Sequence, residues 1–357
     1  MAALCVVQAS ASAFEISAVR TQGISDQGDY PYCSFYAVAS FLEIWGNSNR
    51  KPGDRLPPLD PAFLALSANL ESSNNAFWMD LLLVVTAKHG IIPKGATATK
   101  KELGWPYPEW EAAHQELIEE TKLRSITSAK YQHHSLPQPF TGADYLRQQI
   151  QIPLEKFRWV RSNYQEPSLL EFFDSSENEA PIVEASEPKE IEKTQKPKFQ
   201  YRQGSYKKSI QALKKEAKKL KISVAPIWMD YSDLYDSILS QLYDKRPVLL
   251  SINTTFVSGD FANYALIHTG KLVDYGFSLP AKHAVVAIAH CDKTDSKDKV
   301  CARFNKSLEE ADIDECIAIQ NSWGEDSNSK GIVCISWGAL EPILNSAILQ
   351  DKNIKKD

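Results

Sequence analysis

Three residues far apart in the chain have the types needed for nucleophilic acyl chemistry. Cys33 follows a turn made by Asp26-Gln27-Gly28-Asp29 and Tyr30-Pro31, and it opens a helical pattern. A thiol there sits in the positive field of a helix N-terminus, which favours the thiolate. The backbone N–H groups of the first turn can also hold a developing oxyanion. Gln27, six residues upstream, brings a side-chain amide that can act as a second donor. His283 stands at the mouth of the apolar run Ala284-Val285-Val286-Ala287-Ile288, where a strand can anchor it while its ring reaches outward. It is the proton partner such a thiol needs. Asn321 lies in Gln320-Asn321-Ser322-Trp323-Gly324. Its amide oxygen can accept the ring N–H and hold the imidazole in one orientation, with Trp323 covering the bond. Singly, each has an ordinary explanation. A cysteine in an apolar helix is by default an inert core residue, a histidine is usually a hydrogen-bonded structural one, and an asparagine before Ser-Trp-Gly is a turn residue. The combination is what points to chemistry.

Positioning these groups falls to three blocks of different character. Residues 14–108 read as helical: Val38, Phe41, Leu42 and Trp45 share one face, with a stop at Gly46-Asn47. A second helix over 77–89 is apolar on most sides and ends at Gly90. Residues 109–221 read as an insertion. It has an exposed helix over 109–122, a flexible acidic linker over 174–198 poor in apolar residues, and a lysine-rich helix over 206–220. That last helix turns Ile210, Leu213, Ala217 and Leu220 inward, and its lysines read as a solvated face. Residues 222–349 are strand-rich. A helix over 234–242 precedes β-type runs at 247–253, 284–289, 317–320 and 332–337, expected to pair antiparallel because no crossover helix separates the later runs. Residues 292–314 read as a polar hairpin beside the site, and 350–357 as a polar tail.

Bulk properties narrow the function classes. With 357 residues, 43% hydrophobic and 24% charged, the chain can bury a good core without metal or disulfide staples. A net charge of −5 argues against a general nucleic-acid binder. No apolar run is long enough to span a bilayer, so no membrane partner is expected. Of the six cysteines, Cys291, Cys301, Cys316 and Cys334 lie in the last quarter, without two C-x-x-C pairs. This spacing argues against a zinc site, and no metal or cofactor is expected. One or two disulfides among the four remain open if the compartment is oxidising, as does Cys334 as a small core residue. Residues 1–13 have two readings: the remnant of a signal peptide, from the apolar 2–7 stretch and the small-x-small Ala11-Ser12-Ala13, or an apolar N-terminal arm. A secreted or periplasmic location is therefore expected, with the cytoplasm as the alternative.

Taken together, Asp26-Gln27-Gly28 with Cys33, then His283-Ala284-Val285, then Asn321-Ser322-Trp323-Gly324 and Gly331-Ile332 resemble the papain-like cysteine peptidases, in the family's order. Trp78 to Ile91, Trp105-Pro106-Tyr107-Pro108 and Pro247-Val248 add weaker matches, so that the resemblance covers 17–108 and 234–337. It implies an α+β fold: a mostly helical domain with the nucleophile helix, and an antiparallel β-barrel-like domain carrying His283 and Asn321, with the cleft between. It also implies roles. Cys33 attacks as a thiolate paired with the His283 imidazolium, Asn321 orients that ring, and Gln27 with the Cys33 N–H forms the oxyanion hole. Asn74, Asn75, Phe77, Ala284 and Trp323 would meet a peptide or protein substrate.

The chain also departs from the family pattern. Tyr30 replaces the cysteine that staples the nucleophile loop, Ser34 follows Cys33 where the family has tryptophan, and Asn74-Asn75 replaces the glycine pair of the substrate loop. The segment before Cys33 is too short for the family's propeptide, so such a peptidase would be already matured or need another control, for which the middle insertion is a candidate lid or inhibitory element. Two alternatives stay open: a Cys–His–Asn enzyme that deamidates, transglutaminates or ligates one protein partner, and an inactive binding module on the same scaffold. The oligomeric state is not legible from the sequence.

Overall fold

The computed structural model describes residues 27, 33–47, 58–61, 64, 79–91, 154–162, 206–258, 261–273, 282–294, 298–324 and 327–353. Asn74, Asn75 and Phe77, the Trp105-Pro106-Tyr107-Pro108 segment, the 174–198 linker and residues 1–13 lie outside them.

The described chain builds a mixed α/β architecture around one eight-stranded mixed sheet. In chain order its strands are β1 (Phe157–Ser162), β2 (Ile227–Met229), β3 (Val248–Asn253), β4 (Leu266–Ile267), β5 (Lys282–Asp292), β6 (Glu315–Gln320), β7 (Ile332–Ser336) and β8 (Leu344–Gln350). Their order across the sheet is β2-β1-β8-β3-β5-β6-β7-β4. The helices are α1 (Cys33–Asn47), α2 (Met79–His89), α3 (Tyr206–Leu220), α4 (Tyr231–Tyr243), α5 (Asn305–Glu310) and α6 (Trp337–Ile343).

β5 explains the sheet's long apolar runs. Successive side chains on a strand point to opposite faces. Ala284, Val286 and Ile288 enter one core with Phe35, Val38, Phe41 and Leu42 of α1. Val285 and Ala287 enter a second core with Leu234 and Ile238 of α4. A strand covered on both faces must be apolar at nearly every position, hence the unbroken run that sets off His283. Buried Gln241 ties α4 to the sheet: its Nε2 donates to Pro247 O at 2.8 Å, and its Oε1 accepts from Gln350 N at 2.9 Å.

The pairing expected of the runs at 247–253, 284–289, 317–320 and 332–337 is antiparallel. The pairs β3–β5, β5–β6, β6–β7, β3–β8 and β1–β8 are so, but β1–β2 and β4–β7 are parallel. Long connections separate the members of each parallel pair, which is what a parallel crossover requires. β1, β2 and β4 carry no recognisable alternation in the sequence and become strands only through their neighbours. β1 lies in the block read as an insertion, yet it sits in the same sheet as β5, with Phe157, Trp159, Val160 and Ser162 buried. From that block too, α3 packs on α2 through buried Leu213 and Ala217, while Lys214, Lys215, Lys218, Lys219 and Lys221 are exposed.

A second correction concerns 292–314. Instead of a hairpin beside the site, the segment contains a 3-10 turn at Cys301–Arg303 and the helix α5. It leaves β5 at the end opposite His283, where Asp292 pairs with Glu315. At about 3.3 Å per residue, the strand puts it roughly 30 Å away. Cys301 is bonded to Cys291, which pins this excursion to β5, and Cys316 is bonded to Cys334 across β6 and β7. Cys334 is therefore a disulfide partner and not merely a small core residue. No helix among the described residues is long and apolar enough to cross a membrane.

Candidate active site

Cys33 opens α1, and almost every position of the following two turns is buried. Neither the first nor the last turn of α1 carries a compensating charge, so the N-terminal field at Cys33 is not offset by an acid of its own turn. The thiol is half-buried and outside both disulfides. Burial pushes it up from the ordinary thiol range, while hydrogen bonds from the backbone amides of Ala284, Ser34 and Cys33 itself act in the opposite direction. The Ala284 contact brings the start of α1 onto the start of β5, next to His283.

His283 is buried, and its Nε2 lies 2.7 Å from Asn321 Oδ1. A carbonyl oxygen only accepts, so Nε2 carries the proton and Nδ1 holds the lone pair. Removal from water pulls the imidazole down to about 4, against the upward push of the Asn321 bond. Trp323 stacks on the ring, with centroids 4.6 Å apart and planes 23° apart. Phe261 presents its edge to both rings, at 6.0 Å from His283 and 5.7 Å from Trp323. Both rings pack against the imidazole.

Asn321 is itself held on every side. Its backbone N–H donates to Gly331 O at 2.9 Å, at the foot of the β6–β7 connection. Its Oδ1 also accepts from Ser322 N at 2.8 Å, and its Nδ2 donates to Asn328 Oδ1 at 3.0 Å. Asn328 in turn donates to Phe261 O and Tyr264 O at 2.7 and 2.9 Å. It holds a positive φ of 50°, which asparagine tolerates better than most residues. Gln27 reaches the same corner. Its backbone N–H donates to Ser322 O at 2.8 Å, and Ser322 Oγ donates to Gln27 Oε1. With Oε1 fixed as acceptor, the opposite end of the amide is the donor end.

The structure therefore brings together Gln27, Cys33, His283, Ala284, Asn321 and Trp323 from segments spread along the chain. Three participants were not singled out in the sequence. Ser322 lay inside the motif, but only its contact with Gln27 gives it a part. Asn328 belongs to a polar turn with no distinguishing pattern. Phe261 lies in a short 3-10 turn without periodicity. His290 is separate: it sits at the far end of β5, its Nε2 3.0 Å from Glu315 Oε2 and its Nδ1 3.3 Å from the Tyr243 hydroxyl. Among the described residues, no group of three or more His, Cys, Asp or Glu side chains could hold a metal ion.

The fold is similar to that of PepW from Lactobacillus rhamnosis HN001, solved as its selenomethionine derivative. The two superpose with a TM-score of 0.53 at 13% identity, over 94% of this chain and 81% of that one. At that identity the likeness is one of fold alone. Xylellain, a cysteine protease from Xylella fastidiosa, overlaps at a TM-score of 0.40 and 14% identity, over 92% of this chain and 82% of its own, too loosely to bear on the argument. No family model matches the sequence, and no curated protein matches it.

Proposed function

We propose that this chain is a papain-like cysteine peptidase, with Cys33 as nucleophile, His283 as its proton partner, Asn321 as the residue that orients His283, and Gln27 as an oxyanion donor. The observation that carries the reading is the His283 Nε2 to Asn321 Oδ1 hydrogen bond at 2.7 Å, formed where the Cys33 thiol meets the amide of Ala284. That bond leaves Nδ1 as the basic nitrogen of the pair.

In this reading Nδ1 takes the thiol proton as sulfur attacks the scissile carbonyl carbon. The carbonyl oxygen becomes an oxyanion facing the Cys33 N–H and the Gln27 amide. The C–N bond then breaks and the imidazolium gives its proton to the leaving amine. Water, losing a proton to His283, attacks the thioester and releases the acid and the free thiol. Burial opposes each charge alone, so a thiolate–imidazolium pair relies on mutual attraction and on the helix N-terminus. Helical and β-rich domains facing across a cleft, with Ala284 and Trp323 at the substrate, belong to the same proposal. The two disulfides support an oxidising compartment, and so a secreted or periplasmic location.

Labelling with an epoxide inhibitor of thiol enzymes, followed by digestion with a peptide library, tests the reading. The expected results are an adduct on Cys33 and cleavage that is lost in Cys33→Ala. A folded, reduced protein that takes no label would overturn it. Release of ammonia without chain cleavage would move it to the deamidating alternative.

A further inference from the structure

Two backbone carbonyls lie at the root of the hydrogen-bond chain behind His283. Phe261 O and Tyr264 O each accept from Asn328 Nδ2, at 2.7 and 2.9 Å. A carbonyl oxygen only accepts, so the nitrogen end of the Asn328 amide must face them. The oxygen end then faces Asn321 and accepts from Asn321 Nδ2 at 3.0 Å. That turns Asn321 Oδ1 toward His283, 2.7 Å from Nε2. Nε2 therefore carries the proton, and Nδ1 is left as the base. The choice between the two ring nitrogens starts at main-chain groups that cannot exchange donor and acceptor roles.

Ser322 N, 2.8 Å from Asn321 Oδ1, makes the same choice locally. Its peptide follows Asn321 directly in the chain, so it moves with Asn321 and does not fix where the amide stands relative to the ring. Asn328 supplies that reference. Its backbone N–H donates to Ala262 O at 2.5 Å, so its main chain and its side chain are both fastened to residues 261–264. The same segment holds Phe261, whose ring edge meets His283 at 6.0 Å and Trp323 at 5.7 Å. One residue thus ties the amide that receives the ring N–H to the aromatic that packs on the ring. Its φ of 50° lies in the left-handed region, where glycine would hold the turn more easily than any side chain. What the side chain adds there is the three hydrogen bonds to Phe261, Tyr264 and Asn321.

We propose that Asn328 is a positioning residue for His283: acting through Asn321, it fixes which imidazole nitrogen is basic and where the ring stands, and so sets the reactivity of Cys33. This rests on the reading of Cys33 and His283 as nucleophile and proton partner.

The test times alkylation of Cys33 by iodoacetamide near neutral pH, sulfur displacing iodide, and follows the His283 ring nitrogens by NMR. Asn328→Gly removes the amide and suits the positive φ, so the turn and its main-chain bond to Ala262 can stay. Cys33 should then react about fivefold more slowly, the equivalent of one hydrogen bond of the chain. The ring, held in its Nε2–H form in the native protein, should gain a fraction of the Nδ1–H form, which a merely structural role would not produce. Asn328→Asp keeps an acceptor for Asn321 but turns only oxygen toward Phe261 O and Tyr264 O, and should react no faster than Asn328→Gly. It also serves, with both readouts, if Asn328→Gly does not fold. In an Asn321→Ala background, Asn328→Gly should cost no further rate. A native rate and a single Nε2–H form in either variant, or an equal loss in the Asn321→Ala background, would overturn the positioning role alone. Equal alkylation of Cys33 in the native protein and in His283→Ala would overturn the pairing of Cys33 with His283, and this proposal with it.

Discussion

Asn321→Ala is the sharpest perturbation of the site. Asn321 Oδ1 accepts from His283 Nε2 at 2.7 Å and from Ser322 N at 2.8 Å, in a residue only 2% exposed. Alanine leaves both donors without that acceptor, at about 1–3 kcal/mol each. The Ser322 share falls on folding and should appear as a lower unfolding midpoint. The His283 share falls on the chemistry, because the ring loses its orientation. About 2 kcal/mol there corresponds to a roughly 30-fold loss of rate. Alkylation of Cys33 by iodoacetamide near neutral pH measures this without knowledge of the substrate, with peptide mapping to separate the Cys33 adduct from any at Cys5. We expect Asn321→Ala to react roughly 30-fold more slowly. The double variant with His283→Ala should be no slower than His283→Ala alone, since Asn321 acts through the imidazole. Asn321→Asp keeps the acceptor and should recover most of the rate. A native rate in Asn321→Ala would refute the reasoning, as would an equal loss in the His283→Ala background.

Burial holds His283 at about 4, below its ordinary 6.5. The unfolded chain therefore takes up this proton first, and stability should fall by about 3 kcal/mol as pH drops from about 6.5 to 4, then level off. His283→Gln should flatten that part of a plot of urea midpoint against pH, and an unchanged slope would count against a dry imidazole. Trp323→Ala removes the ring stacked 4.6 Å away and should move the His283 titration up toward its ordinary range, as read by NMR. The Cys316–Cys334 bond closes a loop with a sequence separation of 18, so replacing both cysteines by serine should cost about 3 kcal/mol in a denaturant titration. A cost near zero would mean that the β6–β7 ladder alone holds the two strands.

The candidate site was legible in the sequence because its parts carry local signatures. A turn before an apolar helix places Cys33, an unbroken apolar run places His283, and a compact Asn-Ser-Trp-Gly turn places Asn321. The helices survive for the same reason: the positive φ of 76° at Gly90 ends α2 where the glycine predicts. Short strands have no such signature. Ile227 and Trp228 are exposed, and β2 exists because β1 offers it a ladder. The 292–314 segment was misread because its polar composition suits a hairpin and a helical excursion equally. Only the Cys291–Cys301 pairing and the direction of β5 decide between them.

What the sequence determined by itself was the set of candidate groups and the elements that carry them, since helix caps, apolar runs and turns are encoded within a few residues. Tertiary structure alone decided their surroundings. Phe261, Asn328 and Ser322 gain their parts from contacts with residues distant in the chain. β1 enters the sheet that carries His283 only because it joins β8, a pairing between segments almost two hundred residues apart. Register across a sheet depends on which strands find one another, and no local pattern in β1 records that choice.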